Sequence, residues 1–182
     1  MKRIISLMAF AMLLSSAIAQ NQAPLSRYGD SEKEPKVFTV VYATSEDGFL
    51  NVREGASMKN RVLTKLYGPM HGLGSGVLLE NGDKWSKISM GNYVGWVYNK
   101  YLGYQAWYDG KGKTVLIANR DNMPIYGESY VDANEYPLFT TVKKGTILAD
   151  QFYDHNGYYE LRTGHDYLFI KKEDAIVQSR SK

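Results

Sequence analysis

The chain has 182 residues, with 22 basic and 19 acidic side chains and no cysteine. Without cysteine there are no disulfides, thiolate metal sites, cysteine nucleophiles or lipidated cysteine of a lipoprotein. A formal charge of +3, with basic runs no longer than the pairs Lys143-Lys144 and Lys171-Lys172, excludes the concentrated Lys/Arg footprint of a nucleic-acid-binding protein.

The first element is Lys2-Arg3 followed by an apolar run from Ile4 to Leu14 and then by Ser15, Ser16, Ala17, Ile18 and Ala19. A basic start, a short apolar core and an Ala-x-Ala ending describe a secretory signal peptide. The 11-residue run is shorter than the roughly 20 residues that a bilayer span requires. Residues 1–19 are therefore predicted to be a signal peptide cleaved after Ala19, and no later segment is apolar enough for stable membrane insertion. Export without disulfides suits a bacterial periplasm or outside surface. Residues 20–36, polar and proline-bearing, read as a flexible leader.

From Val37 the texture changes to short β-rich runs. Strands are predicted at Val37 to Ala43, Leu50 to Arg53, Gly76 to Leu79, Trp85 to Ser89 and Tyr93 to Val97, separated by turn clusters such as Glu46-Asp47-Gly48 and Asn81-Gly82-Asp83. This spacing predicts a small barrel or sandwich. Residues 105–113, with Asp109-Gly110-Lys111-Gly112-Lys113, form a turn-rich linker. Further strands are predicted at Thr114 to Ala118, Met123 to Tyr126, Thr146 to Phe152, Tyr158 to Thr163 and Tyr167 to Lys171. No segment after the signal peptide carries a sustained helical period.

The two halves overlay without a gap at an offset of 73 residues. Leu50 then falls on Met123, Val52 on Ile125, Leu66 on Phe139, Trp85 on Tyr158 and Ile88 on Leu161. Gly91 meets Gly164, and Val94, Trp96, Val97 and Leu102 meet Tyr167, Phe169, Ile170 and Ala175. A single register matching apolar with apolar suggests two copies of one small β unit.

Three motifs of the first half follow in order: Leu50-Asn51-Val52-Arg53-Glu54-Gly55, then Trp85-Ser86-Lys87-Ile88, then Gly95-Trp96-Val97 with Tyr101-Leu102. With these motifs the chain resembles the bacterial SH3 (SH3b) domain family across residues 37–104. The second half keeps an echo in Met123-Pro124-Ile125-Tyr126, Tyr158-Tyr159-Glu160-Leu161 and Tyr167-Leu168-Phe169-Ile170, without the Asn-Val-Arg and Gly-Trp-Val elements. The resemblance implies an all-β protein of two tandem small SH3-like barrels, residues 37–104 and a divergent 114–178. It also implies a non-catalytic targeting module of the kind that binds cell-wall peptides or other proteins.

The residues themselves point to candidate contacts. Leu50 and Val52 share one face of a strand and Asn51 and Arg53 the other, which leaves Arg53 for a neighbouring carboxylate or an acidic ligand. Trp85 faces away from Ile88 and either floors a groove or packs under a loop; Tyr158 is its counterpart. Trp96 faces away from Val97 and is expected to pack on Trp85 or a loop. The chain has 15 tyrosines, and those clustered after the closing strand, with Trp107, exceed what burial with satisfied hydroxyls allows. The surplus forms either a ligand groove or, for Trp107 and Tyr108, the interface with the second half. The predicted ligand-binding set is Arg53, Trp85, Tyr93, Trp96, Tyr98, Tyr101 and Tyr158.

No catalytic residue, metal site or cofactor is predicted. His71, His155 and His165 are the only histidines. Asp154-His155 and His165-Asp166 read as turn residues, and Gly72-x-Gly74-x-Gly76 lacks the following helix of a phosphate loop. The expected function is an exported binding module for cell-wall peptide or glycan in the bacterial envelope. The alternative is a protein–protein adaptor, or an inhibitor or immunity protein against an exported toxin or hydrolase.

Overall fold

The structure, a computed structural model, describes residues 37–68, 74–128, 136–162 and 167–180. The predicted signal peptide and leader lie outside the described residues, as do His71, Gly72, His165 and Asp166. No helix among the described residues is long and apolar enough to cross a membrane.

The fold is all-β. The first half holds β1 (Thr39–Ala43), β2 (Phe49–Arg53), β3 (Val62–Tyr67), β4 (Gly76–Glu80), β5 (Trp85–Met90), β6 (Tyr93–Tyr98) and β7 (Leu102–Ala106). The second holds β8 (Thr114–Ala118), β9 (Met123–Gly127), β10 (Leu138–Val142), β11 (Ile147–Ala149), β12 (Tyr153–His155), β13 (Tyr158–Arg162), β14 (Tyr167–Lys171) and β15 (Ala175–Ser179). Single 3₁₀ turns, Asn99–Tyr101 and Lys172–Asp174, precede β7 and β15.

In the first half the strands form one antiparallel sheet in the order β3-β2-β6-β5-β4-β1-β7. The second half has two sheets, β10-β9-β14-β13-β12 and β11-β8-β15. Read together, these repeat the first order, with β4 replaced by the separate strands β11 and β12. The register repeats as well: Arg53 opposite Trp96 becomes Tyr126 opposite Phe169, and Trp85 opposite Tyr98 becomes Tyr158 opposite Lys171.

Several expectations change: β7 runs two residues into the predicted linker, and Asp154-His155 belong to β12 rather than to a turn. The run Thr146 to Phe152 is not one strand, because the chain turns at Asp150. That carboxylate points inward and accepts the backbone N–H of Asp109 at 3.1 Å and of Gly112 at 3.0 Å. Leu66 does not correspond to Phe139. It pairs with Leu50 as Val142 pairs with Met123, so the buried Val142 is its counterpart. The sheets are also open: among the described residues β3 pairs only with β2 and β7 only with β1, so no ladder closes a barrel. The first sheet instead curls around a core of Val41, Leu50, Val52, Leu66, Leu78, Ile88, Val97 and Leu102, drawn from all seven strands.

A second core joins the halves. β1 alternates, sending Val41 and Ala43 into the first core while Val40, with the preceding Phe38, enters the second. On β4, Leu78 faces the first core, and Val77 and Leu79 the second. These two strands are therefore buried on both faces, which explains why they read as continuous apolar runs. The other side of the second core is Trp107, Leu116, Met123, Ile125, Leu148, Leu161 and Ile170.

Backbone contacts fasten the junction. Val37 and Trp107 form parallel bridges with Ile147 and Ala149, so β11 receives both ends of the first half. Trp107 stacks on Phe38 with 5.8 Å between ring centroids, and its indole N–H donates to the Arg162 carbonyl at 2.8 Å. Trp107 thus belongs to the junction rather than to a ligand groove.

Candidate functional site

The outward positions of β2 are Phe49, Asn51 and Arg53, because Leu50 and Val52 occupy the inward ones. On β5, Ser86 and Ile88 are buried and Trp85 is turned outward. Trp85 lies directly opposite Tyr98 of β6, with their rings 5.4 Å apart and tilted by 53°. The loops and turns at the ends of the strands convert this outer face into an open cleft of about 600 Å³. Its lining includes Arg53, Trp85, Tyr98 and Tyr101, together with Phe49, Asn51 and the strongly exposed Met58.

The β1–β2 turn closes one end. Ser45 O accepts the Gly48 N–H at 2.9 Å, the Ser45 hydroxyl donates to Phe49 O at 2.7 Å, and Gly48 adopts the left-handed φ of 74°. Glu46 and Asp47 take the two corner positions of this turn. Both are exposed, both line the cleft, and neither has an ion-pair partner among the described residues.

Arg53 stands at the other end of β2. One of its terminal nitrogens donates to Asn60 O at 2.8 Å. The adjacent Glu54 does not pair with it, because Glu54 is taken by Arg61 through hydrogen bonds from Nε, at 2.9 Å, and Nη2. The Arg61 contact holds the Glu54 carboxyl below its ordinary value and raises the Arg61 guanidinium. The remaining guanidinium donors of Arg53 have no protein acceptor among the described residues. Lys65 sits 3.7 Å from the Phe49 ring centroid and Lys100 4.9 Å from that of Tyr101, but neither lines the cleft. A hydrogen bond with Tyr101 raises the Lys100 ammonium.

The structure thus brings four of the seven predicted residues into one cleft and leaves three outside it. Tyr93 is 47% exposed at the β5–β6 hairpin. Trp96 is half-buried on the outer face between Arg53 and Lys87; no ring contact with Trp85 is formed. Tyr158 belongs to the second half, where the equivalent face is filled from within. Tyr136, from the β9–β10 connection, stacks on Phe169 with centroids 4.1 Å apart and meets Tyr158 edge-on at 5.3 Å. Tyr126 and His155 complete the cluster. Among the described residues, the first half leaves its aromatic floor open, and the second half covers its own.

Tyr136→Ala should therefore lower the midpoint of thermal unfolding, by about 1–3 kcal/mol in stability, and leave any binding by the first-half cleft unchanged. Paired calorimetric melting and titration of the variant check this. A loss of binding at unchanged stability would show that Tyr136 serves the cleft rather than its own sheet.

His155 and Glu160 offer the nearest approach to a reactive group. His155 Nδ1 lies 3.3 Å from Glu160 Oε2, and the buried Glu160 also accepts from Arg162 Nε. That arrangement satisfies a buried carboxylate and presents no unpaired nucleophile. Among the described residues no group of three or more His, Asp and Glu side chains is placed to hold a metal ion.

No protein-family model matches the chain, and no curated protein matches it. Among solved structures, the chain is similar to NlpC2 from Trichomonas vaginalis, at 15% identity and a TM-score of 0.32, over 81% of this chain and 50% of that one. The chain spans about half the length of that protein.

Proposed function

We propose that the chain is an exported, non-catalytic binding protein of the bacterial envelope, built as two copies of one SH3-like unit, whose first half holds cell-wall peptide or glycan. The carrying observation is the open cleft, in which Trp85 and Tyr98 form an aromatic floor beside Arg53, whose charge no carboxylate neutralises among the described residues. Large exposed aromatics beside a guanidinium are the side chains that concentrate binding energy at recognition surfaces. The signal-peptide pattern of residues 1–19 supports a periplasmic or secreted location. The repeated strand order and register support the two-copy reading.

The test is cosedimentation of residues 20–182 with purified peptidoglycan sacculi at low salt. The chain is expected to pellet, and Trp85→Ala to weaken binding by about 2 kcal/mol, the size of a central aromatic contact. A chain that stays wholly in the supernatant sinks the cell-wall reading. The adaptor or inhibitor reading then leads. It is favoured by β7 and β15, each paired on one side only among the described residues and carrying the exposed Tyr104, Ile176 and Val177. Such strands are templates for strand addition by a protein partner. Pulldown from envelope extract without a stoichiometric partner would count against that alternative.

A further inference from the structure

We infer that the first-half cleft recognises a short extended peptide as a zwitterion, with its free amino group at Glu46 and Asp47 and its free carboxylate at Arg53. This deepens the proposed binding function and rests on it, selecting peptide over glycan. The argument is one of charge placement and length. Among the described residues, the charged side chains that line the cleft are Glu46, Asp47 and Arg53, and β2 separates the two signs. The turn carrying both carboxylates leads directly into Phe49, while Arg53 ends the strand four residues later. At about 3.3 Å per residue, the Phe49 and Arg53 ends of β2 lie roughly 13 Å apart, with the turn carboxylates next to the Phe49 end.

Between them, Asn51 offers the groups that a peptide main chain uses. Asn51 faces outward midway along β2 and presents both an amide donor and a carbonyl acceptor. Arg53 pairs with Trp96 across β2 and β6, and continuing that antiparallel register sets Tyr98 opposite Asn51 with Trp85 beside it. One wall is thus polar and the other aromatic along the middle of the cleft. An extended chain covers at most about 3.3–3.6 Å per residue, so about four residues with both ends free run the length of β2 from the acidic turn to Arg53. A dipeptide is too short to reach both ends. A planar guanidinium with unused donors is suited to a carboxylate, and the paired turn carboxylates to an ammonium.

The experiment is an NMR titration of residues 20–182 with tetra-alanine in four forms: both ends free, N-acetylated, C-amidated and doubly capped. The free peptide is expected to shift the Trp85 indole resonance. Each single cap should weaken binding about tenfold or more, the scale of one charge-assisted hydrogen bond. Arg53→Gln should abolish the discrimination between acid and amide while keeping that between amine and acetyl. Glu46→Gln with Asp47→Asn should do the reverse. Equal affinity for all four peptides, equal loss on acid and amide in Arg53→Gln, or no binding of the free peptide at millimolar concentration overturns the inference. The sacculus assay separates the two readings. Pelleting without end discrimination leaves the wall reading standing and removes the zwitterion site, whereas discrimination without pelleting keeps the site and removes the cell wall as its source.

Discussion

Trp107→Ala should lower the stability of the whole chain by about 3–5 kcal/mol, the range for truncating a large buried aromatic. The residue is 5% exposed, stacks on Phe38 and lies in a core drawn from both halves. Its indole also donates to the Arg162 carbonyl, which loses this partner in the variant. The backbone of Trp107 accepts from Asp150 and bridges to Ala149, so the residue anchors the end of β7 to β11. Each half contributes apolar side chains that have no other core to enter: Val40, Val77 and Leu79 from one, Leu116 and Leu148 from the other. Urea unfolding followed by the fluorescence of Trp85 and Trp96, and separately by far-ultraviolet circular dichroism, should therefore give one coincident transition, shifted to lower urea in the variant. A loss below 1 kcal/mol, or two separate transitions in the unsubstituted chain, would show that the halves are stable independently.

The all-β class and most strand positions follow from local sequence, and the reason is visible strand by strand. Thr114–Ala118 and Tyr167–Lys171 have the expected bounds, because apolar residues dominate both strands. β3, β7, β10, β12 and β15 escaped prediction; each lies at a sheet edge, where one side lacks a neighbour among the described residues and the apolar pattern dilutes. β15 is half-buried only at Ala175 and exposed beyond it, with no alternation to read. Arg53, Trp85, Tyr98 and Tyr101 were recognisable as candidate contacts, the first two because they alternate with clear core positions. Glu46, Asp47 and Met58 were not, since a loop carries no strand period that says which face of the sheet its side chains reach. Nor did the ungapped overlay reveal Tyr136. β10 is displaced by three residues relative to that register, and the longer β9–β10 connection brings an aromatic ring over the face that the first half leaves open.

Gly95→Ala should disturb both stability and binding, and it links the motif residues to the cleft. Gly95 lies on β6 opposite Ile88, next to Trp96 in the pairing with β2. A Cβ built there would stand 2.7 Å from the Arg53 carbonyl oxygen and 2.7 Å from Val52 Cγ1, with Leu63 Cδ1 at 3.2 Å. The nearest obstacle is backbone rather than the end of a flexible side chain, so relief requires β2 to move away from β6. Overpacking of this kind costs about 1–3 kcal/mol. The strand that must move carries Arg53 at one end of the cleft and Phe49 at the other, so ligand affinity should fall with stability. Gly91→Ala supplies the contrast. Gly91 has a φ of +54° and open space around its added Cβ, so alanine there strains the β5–β6 hairpin without pressing on β2. It should lower stability by about 1 kcal/mol and leave binding intact. Melting temperatures and peptide titrations of the two variants decide the matter. Unchanged affinity in Gly95→Ala would mean that β2 does not set the geometry of the cleft, and equal losses of affinity in both variants would mean that binding simply tracks global stability.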